Sequence, residues 1–269
     1  MQRRLPQGTP ILSGTDLARG GIGHVLRVLG AGGFSGYLSL NGSLSSGQVL
    51  IGGGRPLYAG FSDGIDSYTG AEAAALLADA APEMTLTTVQ LDKRRFHYAR
   101  IILFNEPLGR GFSPTSEELI LFYSRCVRGN RSGLIQMYND DLEYYIHILR
   151  GEIVDKPSSL DETFDAFRGS RDYLVDTYFY EPAKPAGQIL KPRHFDRSWL
   201  RGLLVESIQR EFGNRADALV DELKSEEVLV HQRDAWLRRI EKFLRNFICG
   251  RMAARTFVQS VKKQFEKQL

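Results

Sequence analysis

Apolar and polar residues alternate along two separate stretches of the chain, and an apolar stripe at helical spacing precedes each stretch. The alternating stretches are 36–40 and 133–137, and this pattern predicts strands with one buried face. The preceding stripes repeat at intervals of three and four residues, as one face of an amphipathic helix does. The stripe contains Leu17, Ile22, Val25, Leu26 and Leu29 in the first helix, and Leu119, Phe122, Tyr123 and Cys126 in the second.

Both predicted strands begin within the same local sequence, Gly-x-x-Ser-Gly, and the same glycine spacing follows. Gly36 precedes Gly54 by as many residues as Gly133 precedes Gly151. Glycine at a hairpin turn permits the positive φ that tight turns require. Each copy then continues with two strand-like runs, a helix and a closing strand. These segments are 48–51, 56–61, 69–80 and 84–91 in the first copy, and 143–149, 152–155, 160–167 and 173–180 in the second.

This order of elements predicts an α+β fold. We expect two repeated helix-strand-strand-strand-helix-strand modules with antiparallel sheets, followed by an α-helical C-terminal region. A small sheet with one apolar face needs helices on that face, so each module should form two layers. Three prolines at 182, 185 and 192 indicate a linker. The predicted domains are 1–104, which includes a connecting helix at 93–104, then 105–182, a linker at 183–194, and the helical region 195–269.

The C-terminal region combines an apolar helical stripe with a basic face. Residues 233–269 contain ten Lys or Arg and three Asp or Glu, whereas the whole chain has a formal net charge of +3. Three interpretations are open: the stripe packs on the body while the basic face is solvated, the region docks an acidic protein or a second copy, or it binds nucleic acid or an anionic membrane. The stripe contains Trp236, Ile240, Phe243, Leu244, Phe247 and Ile248. The candidate partner-binding residues are Arg238, Arg239, Lys242, Arg245, Arg251 and Arg255.

The sequence lacks the motifs that carry common catalytic and cofactor chemistry. A P-loop requires Gly-x-x-x-x-Gly-Lys-Ser/Thr, and the glycines at 52–54 lack that lysine. A Gly-x-Ser-x-Gly nucleophile turn is absent, and no two of the five histidines lie within metal-ligand spacing of each other. His147 alternates within a predicted strand, so we expect it on one face of a sheet. We therefore expect no catalytic residues, no metal and no cofactor.

Cysteine use and hydropathy indicate the compartment. Cys126 and Cys249 are far apart, which excludes a disulfide framework and a thiolate zinc site. The N-terminus is basic, but no long apolar run follows it as in a signal peptide. No stretch reaches the roughly 18 to 20 apolar residues that a transmembrane helix needs. We expect a cytoplasmic protein without a transmembrane segment.

The hairpin and the helix after it resemble the PATAN-type domain, a bacterial and archaeal module. The residues that carry the resemblance are Ser35-Gly36-Tyr-Leu-Ser-Leu40, the strand after Gly54 and the helix opening Gly70-Ala-Glu-Ala73. The second copy keeps Ser132-Gly133 and Gly151-Glu-Ile-Val but lacks the helix opening. The layout with a helical C-terminus is also similar to archaeal proteins of unknown function that carry this module.

The PATAN-type resemblance implies an interaction domain in signalling proteins and brings no catalytic residues with it. From the repeat and this resemblance we expect a non-catalytic regulatory or scaffolding protein that acts through protein–protein interaction or self-association. The alternative is a nucleic-acid-associated protein that binds through the basic C-terminal helices.

Overall fold

The computed structural model describes residues 3–16, 21–113, 117–155, 173–182, 190, 199–226, 228 and 232–268. The fold is α+β, with two antiparallel sheets and a helical C-terminal region, as the sequence predicts. The chain divides into two compact units: Met1–Gln2, Pro10–Val89 and Gln188–Leu269 form the first, and Arg3–Thr9 and Gln90–Gly187 form the second. This division differs from the predicted boundaries, because the helix at 93–104 belongs to the second unit and the C-terminal helices to the first.

The sheet of the first unit has six strands in the order β1-β6-β2-β3-β4-β5. They are β1 (Thr9–Asp16), β2 (Gly36–Asn41), β3 (Ser46–Gly52), β4 (Arg55–Ser62), β5 (Ser67–Thr69) and β6 (Thr85–Gln90). The sequence predicts four of them and misses β1 and β5. Residues 9–14 of β1 are all exposed, so no alternation of buried and exposed positions marks this edge strand. β5 has three residues, which is too short for a periodic pattern.

Two helices pack on this sheet, α1 (Gly21–Ala31) and α2 (Gly70–Ala80). α1 buries Ile22 and Leu26, and α2 is buried along most of its alanine-rich length. The close approach of α2 depends on Gly47 in β3, since a Cβ at that position would overlap the Leu77 side chain. Gly47 and the alanines of α2 therefore allow the helix to pack closely on the sheet.

The C-terminal helices pack against the same core. They are α5 (Trp199–Phe212), α6 (Asp217–Ser225), α7 (Arg233–Phe243) and α8 (Arg251–Gln268). Trp236, Ile240 and Leu244 are buried in one cluster with Ile22 and Leu77. This agrees with the interpretation in which the apolar stripe packs on the body. None of the described helices combines the length and the apolar character that spanning a bilayer requires.

The prediction that Phe247 belongs to the buried stripe is wrong, because this side chain is 74% exposed. After α7 the chain forms a π-helical turn at Leu244–Ile248, in which the Cys249 N–H donates to the Leu244 carbonyl at 2.8 Å. A π turn holds more residues than an α turn, so the side chains that follow leave the stripe.

The sheet of the second unit has five strands in the order β10-β9-β8-β11-β7. They are β7 (Pro107–Phe112), β8 (Ser132–Tyr138), β9 (Glu143–Leu149), β10 (Glu152–Asp155) and β11 (Leu174–Tyr180). This unit also contains the helices α3 (Lys93–Phe104) and α4 (Glu117–Arg128). α4 buries Leu119, Phe122 and Cys126 against this sheet, and Phe122 and Cys126 lie over Gly133. The helix predicted at 160–167 lies outside the described residues, and β7 is a further strand that the sequence does not predict.

The two sheets share a strand order and a hairpin geometry. From the hairpin outward the order is β4-β3-β2-β6-β1 in the first unit and β10-β9-β8-β11-β7 in the second. The Ser35 hydroxyl accepts a hydrogen bond from the Gly53 N–H at 3.0 Å, and the Ser132 hydroxyl accepts one from the Arg150 N–H at 3.0 Å. In the same way the Gly54 N–H donates to the Phe34 carbonyl at 2.8 Å, and the Gly151 N–H donates to the Arg131 carbonyl at 3.0 Å. Phe34 and Gly53 thus correspond to Arg131 and Arg150.

Candidate functional site

A cavity of about 860 Å³ opens in the second unit where four segments meet. These segments are α3, the turn between α4 and β8, the turn between β9 and β10, and the end of β11. A volume in this range suits a small-molecule ligand or a side chain of a partner. The cavity is lined by His97, Arg100, Ile101, Phe104, Asn105, Asn130, Arg131, Ser132, Arg150, Phe179, Tyr180, Glu181 and Pro182.

Arg131 and Arg150 stand on two turns whose backbones are hydrogen bonded to each other. The Arg150 N–H donates to the Ser132 hydroxyl, and the next N–H donates to the Arg131 carbonyl, both at 3.0 Å. The Arg131 N–H is also held, at 2.9 Å, by the Cys126 carbonyl at the end of α4. The Arg131 guanidinium carbon lies 5.4 Å from the centroid of the Phe179 ring, a cation–π distance. These hydrogen bonds therefore fix the backbones of Arg131 and Arg150 beside the cavity.

Two residues of the cavity adopt the left-handed backbone conformation that favours glycine. Asn130 and Arg150 both have φ of 49°, and they are the non-glycine residues with positive φ in the described chain. At the corresponding places the first unit has Gly33, with φ of 63°, and Gly53, with φ of 54°. Asparagine tolerates this conformation, but a long side chain without a local hydrogen bond is unusual there. Strained backbone is retained mostly at functional sites.

Arg100 lines the cavity from α3, and this helix is held in place by its buried side chains and by hydrogen bonds at its C-terminal end. Tyr98, Ala99 and Ile102 of this helix are buried, and the Arg3 guanidinium donates to the carbonyls of Leu103 and Asn105 at 3.1 and 2.7 Å. The positive charge of Arg3 thus compensates the exposed carbonyl end of α3.

The three cavity arginines have no charged partner within the described part of the chain. Arg100, Arg131 and Arg150 form no ion pair with any described residue, and the Nε of Arg100 is buried without a hydrogen-bond acceptor. Glu181 is the acidic residue among the lining side chains, and it is exposed. The cavity wall therefore carries a net positive charge and an unsatisfied N–H donor. Such groups favour an anion.

A cluster of aromatic and imidazole rings reaches the cavity through His97 and Tyr180. The rings of His97 and His147 have centroids 5.2 Å apart, and His147 Nε2 is hydrogen bonded to the Tyr180 hydroxyl. The Tyr98 hydroxyl donates to Asp155, which also pairs with Arg94. The spacing of the histidines along the chain gave no indication of this pairing.

Burial favours the neutral forms of the two histidines and Tyr180 in this cluster, and of Cys126 in α4. Burial, followed by the charge of His97, lowers the pKa of His147 to about 4. Partial burial and then the charge of Arg100 lower the pKa of His97. Burial raises the pKa of Tyr180 to about 12 and that of the Cys126 thiol to about 11. The positive charge of the cavity therefore comes mainly from the arginines.

The six residues predicted as a partner-binding face lie on the exterior of the first unit. Arg238, Arg239, Lys242, Arg245, Arg251 and Arg255 are all exposed. Arg239 pairs with Glu222 and with Glu226, at 3.1 Å from the latter, and it lies over the Trp236 ring. The other five form no ion pair with a described residue. Arg239 is therefore less available to bind a partner than the other five residues.

Sequence reasoning missed the cavity in the second unit. Its arginines come from three elements that are distant along the chain, so no motif joins them. A signal was present in the predicted repeat, since aligned positions change from Phe34 to Arg131 and from Gly53 to Arg150. Within the described residues, no three His, Cys, Asp or Glu side chains are grouped as a metal site would require. Comparison of the chain with models of known protein families, with curated proteins and with solved structures gave no match.

Proposed function

We propose that this chain is a non-catalytic regulatory or scaffolding protein whose second unit binds a phosphoryl group in the cavity of Arg100, Arg131 and Arg150. One observation carries the proposal: three arginines without an ionic partner among the described residues surround one cavity whose other titratable groups, apart from the exposed Glu181, are neutral. Binding of the anion is the event through which the protein acts on a partner.

A phosphoryl group fits the charge and the donors of this cavity. The planar guanidinium of arginine binds phosphate oxygens through two parallel N–H groups. A phosphate dianion balances the surplus of three arginines over Glu181. It would also supply the acceptor that the buried Nε of Arg100 lacks. A carboxylate has one negative charge and two acceptor oxygens, so it satisfies fewer of these groups.

We infer further that the two units contain copies of one PATAN-type module, of which the second is specialised for binding. The shared strand order and the matching serine and glycine hydrogen bonds support this inference. In the first unit the corresponding positions are Phe34, which is buried, and Gly53, which has no side chain. The first copy therefore has no cation at either of these two positions.

Isothermal titration calorimetry of the full chain tests the proposal. Pyrophosphate should bind more tightly than inorganic phosphate, and acetate should bind weakly. Arg131→Ala should weaken pyrophosphate binding about 10- to 100-fold, because a hydrogen bond to a charged group contributes about 1.5–3 kcal/mol. Arg55→Ala removes an exposed arginine of the first unit and should leave the affinity unchanged. No binding of any phosphate compound, or equal losses in both variants, would contradict the proposal.

The phosphoryl group can belong to a small molecule or to a protein, and the same titration separates these sources. A phosphoserine peptide with neutral flanking residues represents a protein partner, and pyrophosphate represents a small molecule. Tighter binding of the peptide than of pyrophosphate assigns the cavity to a phosphorylated partner. The reverse order assigns it to a free phosphate compound.

A further inference from the structure

The π-helical turn at Leu244–Ile248 exposes an apolar side chain beside the basic face of the C-terminal region. Leu244 is fully buried and begins the turn, whereas Phe247 is 74% exposed and lies 5.1 Å, between ring centroids, from Phe243. Met252, at the start of α8, is 81% exposed. Both side chains are thus mostly accessible to solvent. π turns within helices occur frequently at functional sites.

Three arginines flank these apolar side chains. Arg245 precedes Phe247 by two residues, Arg251 adjoins Met252, and Arg255 follows one helical turn after Arg251. All three are exposed, and they pair with no carboxylate of the described chain. We call Arg245, Phe247, Arg251, Met252 and Arg255 the C-terminal basic patch.

We propose that the C-terminal basic patch docks the protein on an anionic lipid bilayer. Exposed apolar side chains that adjoin cations along the chain suit insertion below the level of anionic headgroups, because each kind of side chain meets its preferred environment. An acidic protein partner of comparable affinity would instead be expected to receive these side chains in pockets of its own. This inference concerns the first unit and does not depend on ligand binding in the second.

The first unit also carries a pair of exposed apolar side chains that serves as a control. Leu44 is 82% exposed and Ile65 is 92% exposed, and the carbonyl of Leu44 adjoins Gly64. Asp63 and Asp66 flank Ile65 on the same turn. The negative charge of these aspartates opposes contact with an anionic surface. Membrane binding should therefore depend on Phe247 and Met252 and be independent of Leu44 and Ile65.

Co-sedimentation with large vesicles tests this proposal on the full chain. We expect binding to vesicles of phosphatidylcholine with 30% phosphatidylserine and none to phosphatidylcholine alone. Each arginine removed should lower the partition coefficient about fivefold, since a basic residue near an anionic bilayer contributes about that factor. The double variants Arg251→Glu/Arg255→Glu and Phe247→Ser/Met252→Ser should each reduce binding at least tenfold. Leu44→Ser/Ile65→Ser should bind as the unchanged protein does.

Three results would overturn the proposal. Absence of binding to anionic vesicles at low salt excludes it, and so does binding that survives both patch variants. Retardation of duplex DNA or RNA that is lost in Arg251→Glu/Arg255→Glu, without vesicle binding, assigns the surface to nucleic acid instead. Circular dichroism of each variant establishes that it is folded, and the exposure of all the substituted side chains makes retention of the fold the expected result.

Discussion

Replacement of Arg150 by glycine should raise the stability of the protein and weaken anion binding at the same time. Arg150 has φ of 49° in the β9–β10 turn, where the corresponding turn of the first unit has glycine. A residue other than glycine in this conformation costs about 1–2 kcal/mol. Its side chain is exposed and forms no ion pair with a described residue, so little native interaction is lost on truncation.

The size of the gain follows from two opposing contributions. Glycine removes the backbone strain, but it also increases the conformational entropy of the unfolded chain, which costs about 0.4–1 kcal/mol. The net gain should be about 0.5–1 kcal/mol, which raises the midpoint of thermal unfolding by about 1–4 °C in a chain of this size. The affinity for pyrophosphate should fall about 10- to 100-fold, because a charged hydrogen-bond donor is lost.

Differential scanning calorimetry and titration calorimetry on the same samples measure both effects. Arg150→Asn is the matched variant, since asparagine tolerates positive φ but has no charge; it should lose affinity and keep or raise stability. Arg150→Lys keeps the charge and the strain, so it should keep part of the affinity and the original midpoint. A lower midpoint in Arg150→Gly would refute the assignment of strain. An unchanged affinity would refute the role of Arg150 in the cavity.

Two further predictions concern the interior of each unit. Burial lowers the pKa of His147 from 6.5 to about 4, so on acidification the unfolded chain takes up a proton that the folded chain excludes. The free energy of unfolding should therefore fall between pH 6.5 and pH 4, by at most about 3 kcal/mol. Urea titrations of His147→Gln should give a smaller fall over the same pH range. Gly47→Ala should destabilise the first unit by about 1–3 kcal/mol, because the added Cβ overlaps the Leu77 side chain. Gly202→Ala in α5 should stabilise the same unit by about 0.5–1 kcal/mol, because a Cβ has free space there. Urea denaturation that ranks these two glycine variants in the opposite order would contradict the packing described for α2.

The sequence predicted the elements in which local signals, such as helix ends and turn glycines, agree with the pattern of buried residues. The helix at 93–104 was predicted with the bounds that the structure has. In the structure Asp92 begins the helix by accepting a hydrogen bond from the Arg95 N–H at 2.8 Å, and Asn105 ends it. The hairpins were predicted because Gly54 and Gly151 mark turns that need positive φ.

The parts that were missed depend on contacts between distant segments or on a change of local geometry. The edge strand β7 contains Pro107, Gly109 and Gly111, and its pairing with β11 overrides their low strand propensity. Phe247 was placed on the buried stripe because a periodic pattern assumes one turn length throughout the helix, and the π turn changes it. The cavity depends on three elements that only the folded sheet brings together.

Comparison of the two hairpins distinguishes the residues that the fold requires from those that belong to the cavity alone. Both units have positive φ at three corresponding turn positions and a serine hydroxyl that accepts a hydrogen bond from the turn. Glycine adopts this conformation without strain, and the first unit has glycine at all three positions. The second unit keeps only the last of these glycines and has Asn130 and Arg150 at the other two positions, and it has exposed Arg131 where the first unit buries Phe34. These changes bring backbone strain at Arg150 and arginine charges that form no ion pair with a described residue, and a bound anion is the interaction that would offset both.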